Sequence, residues 1–190
     1  MKKFLPFLTL LFLVGLIGIS TYNLNKKQSA EQELRNSVDD DKKNLHFTSV
    51  KIVLPEFSLP DLHNDKLDLS RNDFLGKYSI INFFASWCTT CREEHEILMR
   101  LKREGIADMY GVAWHDIDDN TMSYLKKNGD PFIKVAADNR GLFTKITGIE
   151  AVPETVIVDP EGVVVMRYRG NLQEFSIDEI AQFIKKHKHR

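Results

Sequence analysis

Residues 78–91 constrain this chain more than any other stretch. An apolar, β-prone run, Tyr78-Ser79-Ile80-Ile81-Asn82-Phe83-Phe84, passes through Ala85-Ser86-Trp87 and meets Cys88-Thr89-Thr90-Cys91. Residues 92–104 then carry a helical pattern. A buried strand therefore delivers two cysteines onto the first turn of a helix. The unsatisfied N–H groups and positive dipole end of that helix stabilise an anion nearby. Cys88, at the mouth of the turn, is expected to have a depressed pKa and carry nucleophilic thiolate. Cys91, one turn further in, is placed to attack the mixed disulfide that Cys88 forms, closing an intramolecular bridge. These are the only two cysteines in the chain, so no structural disulfide competes for them. A structural zinc site needs four ligands, and even with His95 on the same helix face this motif supplies three. The pattern points to dithiol/disulfide chemistry, with no cofactor beyond the Cys88–Cys91 pair and no metal.

Of the 190 residues, 47–190 read as one domain, long enough to bury a real core. The net charge of −1 gives no electrostatic case for nucleic acid as a partner. Residues 1–24 open on Met1-Lys2-Lys3, followed by an uncharged apolar run over 4–19. Those sixteen residues would span about 24 Å as a helix, and extension to Leu24 gives about 31 Å, close to the hydrocarbon thickness of a bilayer. Lys2 and Lys3 favour a cytoplasmic N-terminus, so the segment reads as a single-pass anchor with the domain outside. The rival is a cleaved signal peptide, for which Gly18-Ile19-Ser20 offers small residues. Either way the domain is expected to be exported. Residues 25–46 are rich in Lys, Gln, Glu, Asp and Asn, cannot offset their ordering entropy by burial, and read as a solvated tether.

Within the domain, extended pieces are expected over 49–54, 56–59 and 66–69, the last two forming a β-hairpin, with a helical turn over 73–77. Beyond the cysteines come a strand over 107–114, a helix over 119–128 stopped by Gly129-Asp130-Pro131, a strand over 132–136 and a short helix over 141–147. Strands over 154–158 and 163–168 are joined by the turn signal Asp159-Pro160-Glu161-Gly162. Ser176-Ile177-Asp178-Glu179 fits a capping box opening a final helix. The order predicts an α/β fold, a mixed sheet with helices on both faces.

The strand–CxxC–helix unit, a later Val152-Pro153 before a hairpin and a closing helix resemble the thioredoxin-like fold, here with an N-terminal β-hairpin extension. Asn82 through His95, Gly111-Val112-Ala113-Trp114-His115-Asp116, Gly148 through Thr155 and Tyr168-Arg169-Gly170 together are similar to the membrane-anchored, exported thioredoxin-like proteins of cytochrome c maturation, the DsbE/CcmG type. The resemblance covers residues 50–186. It implies that Cys88 attacks, that Cys91 resolves, and that Pro153 is a cis-proline facing the dithiol. The Val152 backbone would then pair with an extended substrate, and Trp87 would cap the rim of the site. Glu94 and Glu154 resemble the acidic residues this family places near its active site, where a carboxylate can relay the proton of the inner sulfur. Glu154 in particular, at the start of an inner strand, is poorly explained by packing. His95 reads as packing against the next helix turn. Ordinary thioredoxins carry a buried Asp six residues before the first cysteine. Here Asn82 cannot exchange a proton, so another acid must, and Glu94 is the candidate.

The resemblance implies a reductant in an oxidising compartment, at the periplasmic side of a bacterial inner membrane. Its partners would be apocytochrome c, or a maturation component holding it, and a membrane electron donor of the DsbD/CcdA kind. A general exported disulfide reductase is the alternative within the redox class. From another class, a tethered copper chaperone would need a distant ligand such as His63 or His115 and a wider cysteine spacing than this one.

Overall fold

The computed structural model describes residues 47–188, preceded by helical residues at 21, 24–29 and 32. Contacts separate a unit Met1–Leu45 from a unit His46–Arg190. In the first, residues 24–29 are helical and exposed. The apolar run over 4–19 and most of the segment read as a tether lie outside the described residues. Among the described residues no helix is long and apolar enough to cross a membrane.

Eight strands and five α-helices make up the described residues of the second unit. They are β1 (Phe47–Val53), β2 (Ser58–Pro60), β3 (Asp68–Ser70), a 3₁₀ turn (Arg71–Phe74), β4 (Ser79–Phe84), α1 (Thr89–Glu93), α2 (His95–Glu104), β5 (Asp108–Trp114), α3 (Asp118–Asn128), β6 (Lys134–Asp138), α4 (Leu142–Ile146), β7 (Glu154–Val158), β8 (Val163–Arg169) and α5 (Glu174–His187). Six strands form one sheet in the order β1-β8-β7-β4-β5-β6, and β2 and β3 pair as a separate hairpin. β4, β5 and β6 run parallel, while β7 is antiparallel to β4, β8 to β7 and β1 to β8. This is the mixed sheet with helices on both faces that the element order predicts.

The sheet is covered on both sides, which explains why its central strand is mostly apolar, with only Ser79 and Asn82 polar. All six residues of β4 are buried. Ile80 and Phe84 join Leu98 and Leu101 of α2, Leu125 of α3 and Ile177, Ile180 and Ile184 of α5 in one core layer. Ile81 and Phe83 join Phe74, Phe143, Ile149, Val156 and Val158 in the other. Helices α2 and α3 share a face because two successive right-handed crossovers, β4 to β5 and β5 to β6, turn the same way.

Local structure departs from the sequence reading at several places, among them the hairpin strands, which start two residues later than expected. The helix after the cysteines is two pieces joined at Glu94, and the first begins at Thr89 rather than near residue 92. β6 lies two residues later than expected, because Asp130 accepts the N–H of Phe132 in a turn that delays the strand. The helical turn expected over 73–77 is a 3₁₀ turn at Arg71–Phe74. Helix α5 begins at Glu174, with Gln173 as its N-cap, and Ser176 serves inside the box, its hydroxyl accepting the Gln173 N–H.

Gly111 of β5 is required by close approach. A Cβ there would lie 2.8 Å from Phe132 Cδ2 and 2.9 Å from Phe84 Cε1, two rings stacked with centroids 5.3 Å apart. Gly111→Ala is therefore expected to destabilise the domain by about 1–3 kcal/mol, the usual cost of overpacking. A urea midpoint unchanged from wild type would contradict that packing.

Candidate active site

The site lies at the C-terminal end of β4. Cys88 adopts an extended conformation (φ −79°, ψ 120°) and is the N-cap of α1, its sulfur accepting a hydrogen bond from the Cys91 N–H at 3.1 Å. A sulfur thus occupies the position where a Ser or Asp oxygen would usually satisfy an orphan helix donor. The Thr90 hydroxyl lies 3.4 Å from the same sulfur and the Val152 carbonyl oxygen 3.8 Å from it. Cys88 and Cys91 are joined as a disulfide. Cys88 is 5% exposed and Cys91 2%, so an incoming sulfur meets the former first. The Val152–Pro153 peptide is cis, and its loop packs against the N-cap end of the dithiol.

Trp87, 56% exposed, stands on the rim. Its indole N–H donates to the His115 carbonyl at 3.1 Å. One residue upstream, Ser86 is held by Asp116, whose carboxylate accepts the Ser86 N–H at 2.6 Å and the Ser86 hydroxyl at 2.9 Å. Asp116 also accepts the Thr121 hydroxyl at 2.8 Å and the Ile117 N–H at 2.8 Å. The sequence reading assigned no role to Asp116. The available signal was its place in the acidic loop after Trp114, Asp116-Ile117-Asp118-Asp119.

Behind the dithiol, Glu94 follows Cys91 by three residues, the spacing that places side chains on one helix face. It is 1% exposed. Its Oε1 accepts from Asn82 Nδ2 at 2.8 Å and its Oε2 from the Leu172 N–H at 2.6 Å. Asn82 Nδ2 also donates to the Thr155 hydroxyl at 2.9 Å, while Asn82 Oδ1 has no hydrogen-bond partner. Burial pushes the Glu94 carboxyl up to about 7, against the two hydrogen bonds that favour its charged form.

The structure does not bring Glu154 to Glu94. Asn82 pairs with Thr155, and Phe83 pairs with Glu154. Because side chains alternate across a strand, Glu154 points to the Phe83 face, opposite the layer that holds Glu94. There it forms a buried ion pair with Arg167, whose guanidinium also donates to the Gly148 carbonyl. Burial raises the Glu154 carboxyl and Arg167 offsets part of that rise. The premise that packing poorly explains Glu154 is thus corrected: Arg167 supplies the structural reason.

His95 Nδ1 accepts from the Tyr124 hydroxyl at 2.8 Å and Nε2 donates to the Gly129 carbonyl at 3.0 Å. The ring ties α2 to both ends of the C-terminal half of α3, and its two nitrogens are used up in doing so. His63 is bonded to Asp130 and the Ile133 carbonyl, and His115 to the Asn139 carbonyl. Among the described residues no group of three His, Cys, Asp or Glu side chains is placed to share a metal ion.

The family model described as Redoxin matches residues 50–183. The chain is 39% identical to the thiol:disulfide interchange protein DsbE of Allochromatium vinosum over 110 residues, 58% of this chain and 61% of that relative. It is 34% identical to the DsbE protein of Haemophilus influenzae over 140 residues, 74% of this chain and 77% of that one. Among solved structures it is similar to a thiol-disulfide oxidoreductase from Bacteroides fragilis, 26% identical, with a TM-score of 0.59 over 69% of this chain and 98% of the other.

Two expectations follow from the geometry. Folded Glu94 holds its proton up to about pH 7, whereas the unfolded chain releases it near its ordinary value of 4.5. Between those values the folded state binds more protons, so this residue's contribution to stability falls as pH rises through the window and is flat above it. The loss is on the order of 3 kcal/mol. Glu94→Gln should abolish that slope and be more stable than wild type at pH 8, as read by urea midpoints at pH 5 and pH 8; a slope that survives the substitution refutes the assignment. Thr90→Val removes a hydroxyl that can donate to a Cys88 thiolate, and should slow alkylation of reduced Cys88 at pH 7 by about 10-fold. Thr90→Ser should alkylate at the wild-type rate.

Proposed function

The chain belongs to the Redoxin family, and within it to the DsbE-type thiol:disulfide interchange proteins, and from that premise we propose that it is a reductant serving c-type cytochrome maturation. Thiol–disulfide exchange is its activity. The proposal concerns direction, substrate and place. The observation that carries it is Glu94, a buried acid one helical turn beyond Cys91, set against the N-capping sulfur of Cys88.

In the reduced protein the Cys88 thiolate attacks a substrate disulfide. A Cys88–substrate S–S bond forms, the substrate S–S bond breaks, and one substrate sulfur leaves as a thiolate that takes up a proton. Cys91 then gives its proton to the Glu94 carboxylate and attacks the Cys88 sulfur, so that the second substrate sulfur leaves as a thiolate that takes up a proton, and Cys88–Cys91 closes. Two electrons pass from the dithiol to the substrate. The helix N-terminus favours the first step by holding Cys88 as thiolate. The elevated Glu94 carboxyl favours the second, because an acceptor near neutrality takes and returns a proton at working pH. Trp87 and the Val152 backbone flank Cys88, where an extended peptide can lie alongside the loop. Glu154 serves through the Arg167 pair that fixes the start of β7, next to Pro153.

Apocytochrome c, or a component that holds it, fits as substrate because its two haem-attaching cysteines must be free thiols. A donor of the DsbD/CcdA kind fits as the source of electrons in an oxidising compartment. The Lys2-Lys3 pair and the apolar run after it support an inner-membrane anchor with the catalytic domain on the periplasmic side.

Cys88→Ala should abolish c-type cytochrome assembly under conditions where deletion does, and Cys91→Ala should trap a mixed disulfide with the physiological substrate. Trapping only unrelated exported proteins would move the reading to a general reductase. The couple should titrate near about −270 mV, and a value near about −120 mV, that of an oxidant, would sink the reductant role.

A further inference from the structure

His115 is the one described residue other than glycine with a positive φ, 46°. A side chain pays for that conformation unless its surroundings hold it there. What the left-handed turn accomplishes is visible in its hydrogen bonds. It aims the His115 carbonyl at the Trp87 indole, 3.1 Å from Nε1, while the next residue, Asp116, carries both hydrogen bonds to Ser86. Two consecutive residues of the loop after β5 thus grip the two consecutive residues that precede Cys88.

The turn is braced from the far side. His115 Nδ1 donates to the Asn139 carbonyl at 3.1 Å, its N–H reaches the Asp138 carbonyl at 3.4 Å, and its ring lies 4.8 Å from that of Trp114. Gly141 leaves the room this needs, since a Cβ there would sit 2.8 Å from His115 Nε2 and 3.0 Å from Trp114 Nε1.

We propose that His115 is a positioning residue for substrate: its left-handed backbone fixes the orientation of the exposed Trp87 indole beside Cys88, and so sets how tightly a peptide disulfide docks. The inference rests on the redox reading of Cys88 but is separable from it. A freely rotating indole costs docking affinity and leaves the sulfur chemistry untouched. Its effect therefore falls on half-saturation and not on the maximal rate or the reduction potential. The backbone does the positioning, so residues that tolerate positive φ should substitute for His115 and β-branched ones should not.

The test compares His115→Asn, His115→Gly and His115→Val in the full chain. Pre-reduced protein is mixed with a synthetic peptide carrying an internal Cys-x-x-Cys disulfide. Hydrogen exchange of the Trp87 indole N–H, assigned with Trp87→Phe, is followed in parallel. His115→Val is expected to raise the half-saturating peptide concentration by about 3- to 10-fold, the value of one net hydrogen bond, with maximal rate and potential unchanged and indole exchange accelerated. Asn and Gly should stay within about 2-fold of wild type. Equal indole exchange and equal half-saturation in the Val and Asn variants would overturn the proposal. So would an equal rise in all three, which would place the effect in the ring and not the backbone. If the Val variant fails to fold, His115→Ala against His115→Asn poses the same contrast. A Cys88→Ser protein that still reduces the peptide would sink the underlying redox reading instead, and the indole exchange result would stand apart from it.

Discussion

A sulfur atom serving as a helix cap is the interaction on which the rest of the site depends. The Cys88 side chain is held just beyond the fully buried strand β4 and accepts the Cys91 N–H. A neutral disulfide sulfur is a weak acceptor and a thiolate a strong one, so reduction strengthens the cap. Taken alone, that stabilises the reduced form and makes a site more oxidising, the logic of a strongly oxidising dithiol. A reductant needs an opposing influence. In the proposed reductant Glu94 would provide one: when ionised, and one turn from Cys91, it disfavours a second anion in the same low-dielectric pocket. Its Leu172 and Asn82 hydrogen bonds hold it in place for that purpose.

The two acids that look equivalent along the chain are different kinds of residue in space. Glu94 sits among neutral donors, with burial the dominant influence on its carboxyl. Glu154 sits against a guanidinium that is itself buried. Breaking such a pair leaves an uncompensated charge in the interior and typically costs 3–5 kcal/mol. The loop that carries Gly148, Val152 and Pro153 runs between Arg167's two contacts, the Gly148 carbonyl and Glu154. The ion pair therefore braces the loop that carries the cis Val152–Pro153 peptide from one face of the sheet, whereas Glu94 lies on the other.

The strand, the delivery of the two cysteines to a helix start and the order of elements were legible because each is local. β-propensity, a helix-start position and turn residues all act within a few residues of themselves. The face assigned to Glu154 was not legible, since β7 is buried on both sides and shows no alternation between polar and apolar positions. An Arg in the middle of β8, at a buried position, was the available signal of an internal acid. The start of α5 misled for another reason. Ser176-Ile177-Asp178-Glu179 has the form of a capping box, but Glu94 fixes the chain at Leu172, from where the helix can begin three residues sooner. That constraint arrives from 78 residues away, beyond the reach of any local pattern. Asp116 was hidden likewise: its partners Ser86 and Thr121 flank it from two other elements.

The choice of Asn at position 82 follows from the same distances. Its amide nitrogen is 2.8 Å from Glu94 Oε1, so an Asp there would set two carboxyls in contact in the core. Such pairs share one proton and titrate in two coupled steps spread over several pH units. With Asn82, the pocket holds one carboxyl, near neutrality. The amide also fits either protonation state. As it stands, Nδ2 donates to the carboxylate. Turned over, it would offer the oxygen that now lacks a partner to a protonated Glu94 and to the Thr155 hydroxyl. A chain that moves the acid from the strand to the helix therefore gains by neutralising the strand position, and Asn does so while keeping a polar neighbour for the acid in both of its states.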